Sequence, residues 1–466
     1  MKNSLKIFLI LALIASQLFL YSQYRPVSIP DNITEKTPES AETIRAILSL
    51  LDGDQQKHKE TLKRLEDNWN DGYIPMLLDV IYLSGRDVNQ WPTVHLIQKK
   101  TRKKFGNDIF GWFEWLWNKD QKILPYQGDW MAEIYKNIDP RFEKYFKDRT
   151  ESSLIRLDEV RWGGVQQDGI PPLRGPRMLA ADEADYLEDD NIVFGISING
   201  DHRAYPKRIL AWHEMFVDEV GGKSIAGVYC TLCGTVIAYD TEFEGRKYDL
   251  GTSGFLYRSN KLMYDQATQS LWNTIEGKPV IGPLAGTNIE LESYSVVTTT
   301  WREWKNRHPE TTVLSLRTGH RRDYNEGAAY ADYFGTDRLM FNVPELDDRL
   351  KNKDEVLIVR AGDYQKDPLA ISAKFLARKN VYQDQIGNTK FVVLTDKSGG
   401  NRVYESKGIK FKKMKNGKVN DSNGISYEIT EEQLIGSNGT TLERLPYHRI
   451  FWFAWYNTYK DTRLVK

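Results

Sequence analysis

The sequence carries no excess of charge of either sign, because 64 lysine and arginine residues balance 64 aspartate and glutamate residues. Proteins that bind nucleic acid through phosphate contacts present a basic surface, so this composition predicts no nucleic-acid partner. The sequence also lacks a Gly-x-Ser-x-Gly elbow, a phosphate-binding loop and a dinucleotide fingerprint. No motif of those enzyme classes therefore points to a reaction, and enzymatic activity is left open.

Long apolar runs are missing after the first residues of the chain. The one run near the N-terminus spans residues 7–20 and follows Lys2 and Lys6, which is typical of a signal peptide or an uncleaved membrane anchor. We therefore interpret residues 1–22 as a signal or anchor and residues 23–40 as a linker. The rest is expected to be extracytoplasmic, periplasmic or secreted, and tethered to the inner membrane if the run is kept.

The remaining sequence predicts an α+β protein in three parts. Residues 41–150 have helical spacing of apolar residues and are interpreted as an α-helical domain, possibly of stacked HEAT-like pairs. Such a domain would fit docking of a protein partner, although a plain structural role is the default. Residues 151–340 predict a mostly antiparallel α+β domain, and residues 341–466 predict a related β-rich domain.

Cysteine is nearly absent: Cys230 and Cys233 are the two in the chain, and they form a Cys-x-x-Cys-Gly pattern. The flanking residues are β-branched and aromatic, which predicts a strand, a tight turn and a second strand. Gly234 fits a turn position that requires positive φ. A hairpin of this kind is more typical of a metal-binding knuckle than of thioredoxin, in which the first cysteine caps a helix.

The pattern around the cysteine hairpin predicts several local structures. Residues 191–198 alternate as a strand, and Asn199-Gly200 is a hairpin turn signal. We expect a short helix from Arg208 to Phe216 and another over the aromatic segment 445–455.

The central residues resemble the bacterial family catalogued as domain of unknown function 3179. The resemblance covers residues 155–335, and extends more loosely over the rest of the chain. Thr231 stands where that family usually has proline, and the family has no established activity, so the resemblance implies a fold unit without a reaction. The motifs that carry the resemblance, in chain order, are Ala204-Tyr205-Pro206, His213-Glu214, Tyr229 to Gly234, Ser253-Gly254, Met263-Tyr264-Asp265, Ser270-Leu271-Trp272, Thr300-Trp301 and His308-Pro309.

The C-terminal third can be aligned with the cysteine hairpin. Residues 222–230 lie on residues 387–395 without gaps, and this alignment places Thr395 and Ser398 at the positions of the two cysteines. The match is either a degenerate repeat or chance. If it is a repeat, the same hairpin folds without thiols, which favours a chemical role for the cysteines.

Three functions remain open for the cysteine pair. The first is binding of zinc or copper by Cys230 and Cys233, with His213 or His202 as further ligands, because thiolates are soft ligands and zinc prefers four. The second is thiol–disulfide redox activity of the same two residues. The third is a non-catalytic scaffold or binding module with a structural cysteine pair. A binding groove would use five further residues, namely Ser253, Ser259, Asn260, Asp265 and Trp272.

Overall fold

The computed structural model describes residues 38–85, 90–120, 123–415 and 417–466. They divide into two compact units, one running to Gln167 and including residues 281–285, the other containing residues 168–280 and 286–466. The predicted signal or anchor segment and most of the predicted linker lie outside the described residues. Within the described ranges, no helix is both long enough and apolar enough to cross a bilayer.

The first unit is helical, as its apolar spacing predicts. Asp54 and Asp108 cap two of its helices, since each side chain accepts hydrogen bonds from the first backbone N–H groups. In the interior, the Asp79 carboxylate accepts hydrogen bonds from Arg161 at 2.8 Å and from the Trp130 indole at 2.9 Å. The HEAT-like subtype stays a prediction. The elements of this unit are α1 (Pro38–Leu48), α2 (Gln55–Asp67), α3 (Tyr73–Leu83), α4 (Trp91–Thr101), α5 (Ile109–Trp117), α6 (Gln127–Tyr135), α7 (Glu143–Phe146) and β1 (Val160–Trp162).

The second unit is built mainly of antiparallel strands, so the α+β fold class with a β-rich C-terminal region is confirmed. Its elements up to residue 314 are β2 (Leu173–Arg174), β3 (Met178–Ala180), β4 (Ile192–Ile198), β5 (Asp201–Pro206), α8 (Lys207–His213), β6 (Met215–Val220), β7 (Lys223–Cys230), β8 (Thr235–Asp240), β9 (Glu242–Phe243), β10 (Arg246–Lys247), β11 (Leu250–Tyr257), β12 (Asn260–Asp265), β13 (Leu271–Asn273), β14 (Lys278–Ile281), β15 (Ser293–Tyr294), β16 (Val297–Thr300), α9 (Trp301–Arg307) and β17 (Thr312–Leu314).

The remaining elements of the second unit begin with a short helix that lies within a long irregular segment, residues 315–354. They are α10 (Ala331–Phe334), β18 (Glu355–Val359), β19 (Leu369–Ser372), α11 (Ala373–Arg378), β20 (Val381–Ile386), β21 (Thr389–Thr395), β22 (Asn401–Glu405), β23 (Phe411–Lys415), β24 (Lys418–Asp421), β25 (Ser426–Ile429), β26 (Gln433–Gly436), β27 (Thr441–Glu443), β28 (Tyr447–Phe451), α12 (Trp452–Thr458) and β29 (Arg463–Val465).

Two local predictions are wrong at their boundaries. The helix expected to run to Phe216 ends at His213, because Glu214 adopts a left-handed conformation with φ +54° and the chain continues as β6. The segment 445–455 is not one helix: residues 447–451 form β28, whose five residues pair with β18, and the helix begins only at Trp452. In both places, strand pairing overrides the local apolar pattern, with the adjacent β7 and with β2 in the first case and with the distant β18 in the second.

One arrangement of elements occurs twice in the second unit. In what we term the first copy, β4, β5, α8, β6, β7 and β8 are followed later by β16, α9 and β17. In the second copy, β18, β19, α11, β20, β21 and β22 are followed by β28, α12 and β29. The strand pairing is also the same, with β16 antiparallel to β4 and β17 parallel to β5, as β28 is to β18 and β29 is to β19.

The cysteine turn of the first copy has a counterpart in the second. Thr395 ends β21 as Cys230 ends β7, and Gly399 has positive φ, as Gly234 does. The second turn holds one additional residue, Gly400, before β22 begins, so the ungapped sequence alignment is displaced by one residue in the last strand.

Candidate functional site

The two cysteines lie at the ends of the turn that joins β7 to β8, as the strand–turn–strand prediction requires. Cys230 pairs with Thr235 in the last register position of the hairpin, and the Cys233 N–H donates to the Cys230 carbonyl at 3.1 Å. Their Sγ atoms are 2.7 Å apart, and both thiols are free. Gly234 has φ +62°, which confirms the prediction of a positive-φ position.

The turn is enclosed by residues from the second copy and from α10. The Phe451 N–H donates to the Cys233 carbonyl at 2.8 Å, and the Tyr333 hydroxyl donates to the Leu232 carbonyl at 2.6 Å. Cys230 is 1% exposed and Cys233 is fully buried. Both belong to the hydrophobic core that contains β18 and β28, so access to the sulfurs requires a movement of the residues that cover them.

A buried carboxylate organises the residues on one side of the turn. Glu214 accepts a hydrogen bond from Thr231 Oγ1 at 2.6 Å and one from the Tyr330 hydroxyl at 3.0 Å, and its Oε2 lies 2.9 Å from the Lys261 ammonium. Left-handed φ costs a residue with a Cβ about 1–2 kcal/mol, which these interactions offset. Thr231 stands where the family usually has proline, and proline has no hydroxyl. The hydrogen bond from residue 231 to Glu214 therefore depends on threonine at this position.

The environment of the two thiols displaces their pKa values in opposite directions. For Cys230, burial acts to raise the pKa, but hydrogen bonds from the Cys233 thiol and from the Lys261 N–H together hold it below its ordinary value. For Cys233, burial raises the pKa well above the ordinary value, and the neighbouring Cys230 adds to the effect. The two thiols are therefore not equivalent, and the surroundings of Cys230 favour its thiolate more than those of Cys233 do.

Two of the predicted groove residues line the buried side of Cys233. Its Sγ lies 3.6 Å from the Ser259 carbonyl and 3.6 Å from Asn260 Oδ1. The Ser259 hydroxyl is buried and has no hydrogen-bond partner among the described residues. Ser259 and Arg258 both have positive φ in the turn between β11 and β12, so this turn is strained next to the thiols.

The other three groove residues are buried structural groups that do not face open space. Ser253 donates its hydroxyl to the Leu262 carbonyl at 2.6 Å. Asp265 accepts hydrogen bonds from Thr268 and from the Trp272 indole, so it closes the turn between β12 and β13. Their polar groups are therefore hydrogen-bonded inside the fold, and the binding groove stays a prediction.

The structure places the two predicted histidine ligands in other surroundings. His213 bonds through its ring nitrogens to the Pro171 carbonyl at 2.9 Å and the Tyr324 hydroxyl at 2.6 Å, and burial lowers its pKa to about 4. His202 stacks on His308 with ring centroids 3.9 Å apart. Within the described ranges, no group of three ligand atoms within 4.8 Å of one another contains the cysteines. Zinc or copper at the two thiolates stays a prediction.

Sequence reasoning missed most of the residues that surround the thiols. Lys261 and Tyr333 stand outside every motif that the sequence offers, and Tyr330 is 116 positions from Glu214. One signal was present, because Glu214 belongs to the His213-Glu214 motif.

Comparison with known proteins identifies a family but no individual relative. The model of the family described as "Protein of unknown function (DUF3179)" matches residues 167–462. The chain belongs to this family. The match extends beyond the cysteine hairpin and includes both copies. Neither the curated proteins nor the solved structures contain a match.

The first prediction concerns Gly234. A Cβ at this position would lie 2.5 Å from the Phe451 ring, in addition to the strain of positive φ. Gly234→Ala is therefore expected to lower the free energy of unfolding by about 2–5 kcal/mol, measured by urea denaturation. Gly222→Ala is the control, because Gly222 has φ +77° with open space around it and only the backbone strain applies. Equal effects of the two substitutions would contradict the packing of the turn on Phe451.

The second prediction concerns the buried ion pair. Lys261→Met leaves the Glu214 carboxylate buried without a cation and should destabilise the second unit by about 3–5 kcal/mol. Lys278→Met is a matched control, because Lys278 and Glu290 are 3.0 Å apart but their side chains are 32% and 42% exposed. That substitution should cost less than about 1 kcal/mol in the same urea experiment. A Lys261→Met effect no larger than the control would show that Glu214 needs no buried cation.

Proposed function

We propose that Cys230 and Cys233 form a thiol–disulfide redox centre. The observation that carries the proposal is the pair itself: two free thiols with sulfurs 2.7 Å apart across a tight turn, one with a lowered pKa and the other with a raised pKa. The thiolate is the attacking species in disulfide exchange. A neighbouring thiol then resolves the mixed disulfide by attacking it in a second step. The predicted extracytoplasmic location fits this chemistry, because disulfides form and persist there.

The exchange uses a disulfide as the oxidant. The Cys230 thiolate attacks one sulfur of the substrate disulfide, forms a mixed disulfide and releases the other substrate sulfur as a thiolate, which takes up a proton. Cys233 then loses its proton and attacks the Cys230 sulfur. The mixed disulfide breaks, and the second substrate thiol leaves. Two electrons pass to the substrate, and the protein ends with a Cys230–Cys233 disulfide.

The second copy supports a chemical role for the cysteines over a structural one. Thr395 pairs with Asn401 at the ends of its turn, and Ser398 lies within the turn. The Gly399 N–H donates to the Asp396 carbonyl at 3.1 Å, as the Gly234 N–H donates to the Thr231 carbonyl in the first copy. A turn at the same place in the fold, longer by one residue, therefore forms with hydroxyl side chains. A disulfide across so short a loop would also stabilise the fold little, because it removes little chain entropy.

The mixed disulfide provides the direct test of the order of attack. In Cys233→Ser, the thiolate of Cys230 should react with oxidised glutathione and keep one glutathione, because the resolving thiol is gone. In Cys230→Ser, the raised pKa of Cys233 keeps its thiol protonated near neutral pH, and we expect at least about tenfold less adduct. Intact mass spectrometry measures both. Equal adduct in the two variants, or none in either, would refute the proposal.

Access to the thiols depends on Tyr333. Its ring packs in the same core as the cysteines, and its hydroxyl holds the Leu232 carbonyl. Tyr333→Ala should increase the rate of thiol modification by a small alkylating reagent several-fold, and Tyr333→Phe should increase it less, since only the hydrogen bond is lost. Tyr427→Ala is the control, because Tyr427 packs in a separate core with Phe411. Identical rates in all three variants and the wild type would exclude Tyr333 as the cover.

A further inference from the structure

A second group of ligand-type side chains lies apart from the thiols. The ligand atoms of His202, His308 and Glu310 are all within 4.8 Å of one another. His202 Nε2 is 3.4 Å from Glu310 Oε1. The Glu310 side chain is 65% exposed and the His202 side chain 14% exposed, so the group has a route to solvent.

The fold brings these three residues together by a short chain of hydrogen bonds. β17 runs parallel to β5, and the Thr311 hydroxyl donates to the His202 carbonyl at 2.9 Å. The Trp304 indole donates to the same Thr311 hydroxyl at 2.9 Å. His308 ends α9 by donating its N–H to the Trp304 carbonyl, and Glu310 follows two residues later. Thr311 and Trp304 therefore hold the backbone of His202 and of His308 close together.

The second copy shows that this framework forms without the histidines. There the Trp455 indole donates to Thr462 Oγ1 at 2.8 Å, and Thr462 Oγ1 donates to the Pro368 carbonyl at 3.2 Å. Tyr459 ends the helix as His308 does in the first copy. By strand register and helix end, Pro368, Tyr459 and Asp461 occupy the positions of His202, His308 and Glu310. The scaffold therefore does not require two adjacent imidazoles.

The hydrogen-bond partners of the two imidazoles suit the binding of a cation. His308 Nε2 lies 3.3 Å from Glu431, whose carboxylate is held ionised by Arg402 at 2.7 Å and Arg444 at 2.9 Å. A carboxylate only accepts, so Nε2 carries the proton and Nδ1 keeps its lone pair. His202 Nδ1 is buried with no hydrogen-bond partner in the part of the chain that the structure describes.

We propose that His202, His308 and Glu310 bind one divalent transition-metal ion of the zinc type. Two imidazole nitrogens and a carboxylate oxygen are a donor set that zinc accepts, and three protein ligands leave a fourth position for water. Glu431 acts as the outer partner that orients His308. The site shares no residue with the cysteine pair, so it is independent of the redox proposal.

Titration of the whole chain with zinc alone, with the heat of binding measured by calorimetry, tests this site. The Cys230→Ser/Cys233→Ser double variant is the parent, so that thiolates contribute nothing. It should bind one zinc ion per chain, and zinc should raise its thermal midpoint. Adding His202→Gln or Glu310→Gln should weaken binding at least about tenfold and remove the thermal shift. His320→Gln is the control, since His320 is an exposed histidine on the same unit and should change neither.

The outcomes separate this site from a metal site at the thiols. If the wild type binds zinc and the double cysteine variant does not, the metal belongs to the cysteines and the proposal is refuted. Unchanged affinity after Glu310→Gln, or no binding by the parent, refutes it too. Glu310 is mostly exposed, so its substitution is decisive even if His202→Gln fails to fold.

Discussion

The arrangement around the thiols depends on one buried carboxylate that has to be satisfied. Glu214 ends α8 in a left-handed conformation and receives Thr231 from the cysteine turn, Lys261 from β12 and Tyr330 from the segment before α10. Burying a charge without partners costs too much free energy for the fold to persist. The three partners are therefore needed around the Glu214 carboxylate, and the four parts of the chain meet there. The cysteine turn is one of the four. The hydrogen bond from Thr231 to Glu214 ties this turn, and with it the two sulfurs, to the other three parts.

The repeated arrangement separates scaffold from chemistry. Both copies have the same strand pairing, the same tryptophan-to-threonine hydrogen bond and the same helix end. The groups of the two proposals lie in the first copy, with the cysteines at the turn, His308 at the end of α9 and His202 on β5. The second copy contributes differently, since its Phe451 closes the cysteine turn and its core surrounds the sulfurs. The first copy therefore carries the cysteines, and the second copy covers them.

The parts of this structure that sequence predicts are those decided within a few residues. The hairpin at Cys230 and the positive φ of Gly234 follow from local residue types. The pairing of β28 with β18 and the ion pair of Lys261 with Glu214 join residues far apart in the chain, and no periodicity encodes them. The sequence offered His202 as a ligand beside the cysteines, whereas the structure stacks it on His308. No spacing indicates that neighbour, because the parallel pairing of β17 with β5 brings the two residues together.

The reduction potential of the Cys230–Cys233 pair tests the central claim most directly. Full-length protein would be equilibrated in buffers of graded thiol–disulfide potential, and its free thiols counted together with its metal content. A redox centre predicts a reversible two-electron transition of one pair per chain at a potential above about −300 mV, where functional disulfides lie. Thiols that stay free at every potential, or a disulfide that resists reduction below that value, would contradict the account. A bound metal ion that is released only when the cysteines are oxidised would contradict it too.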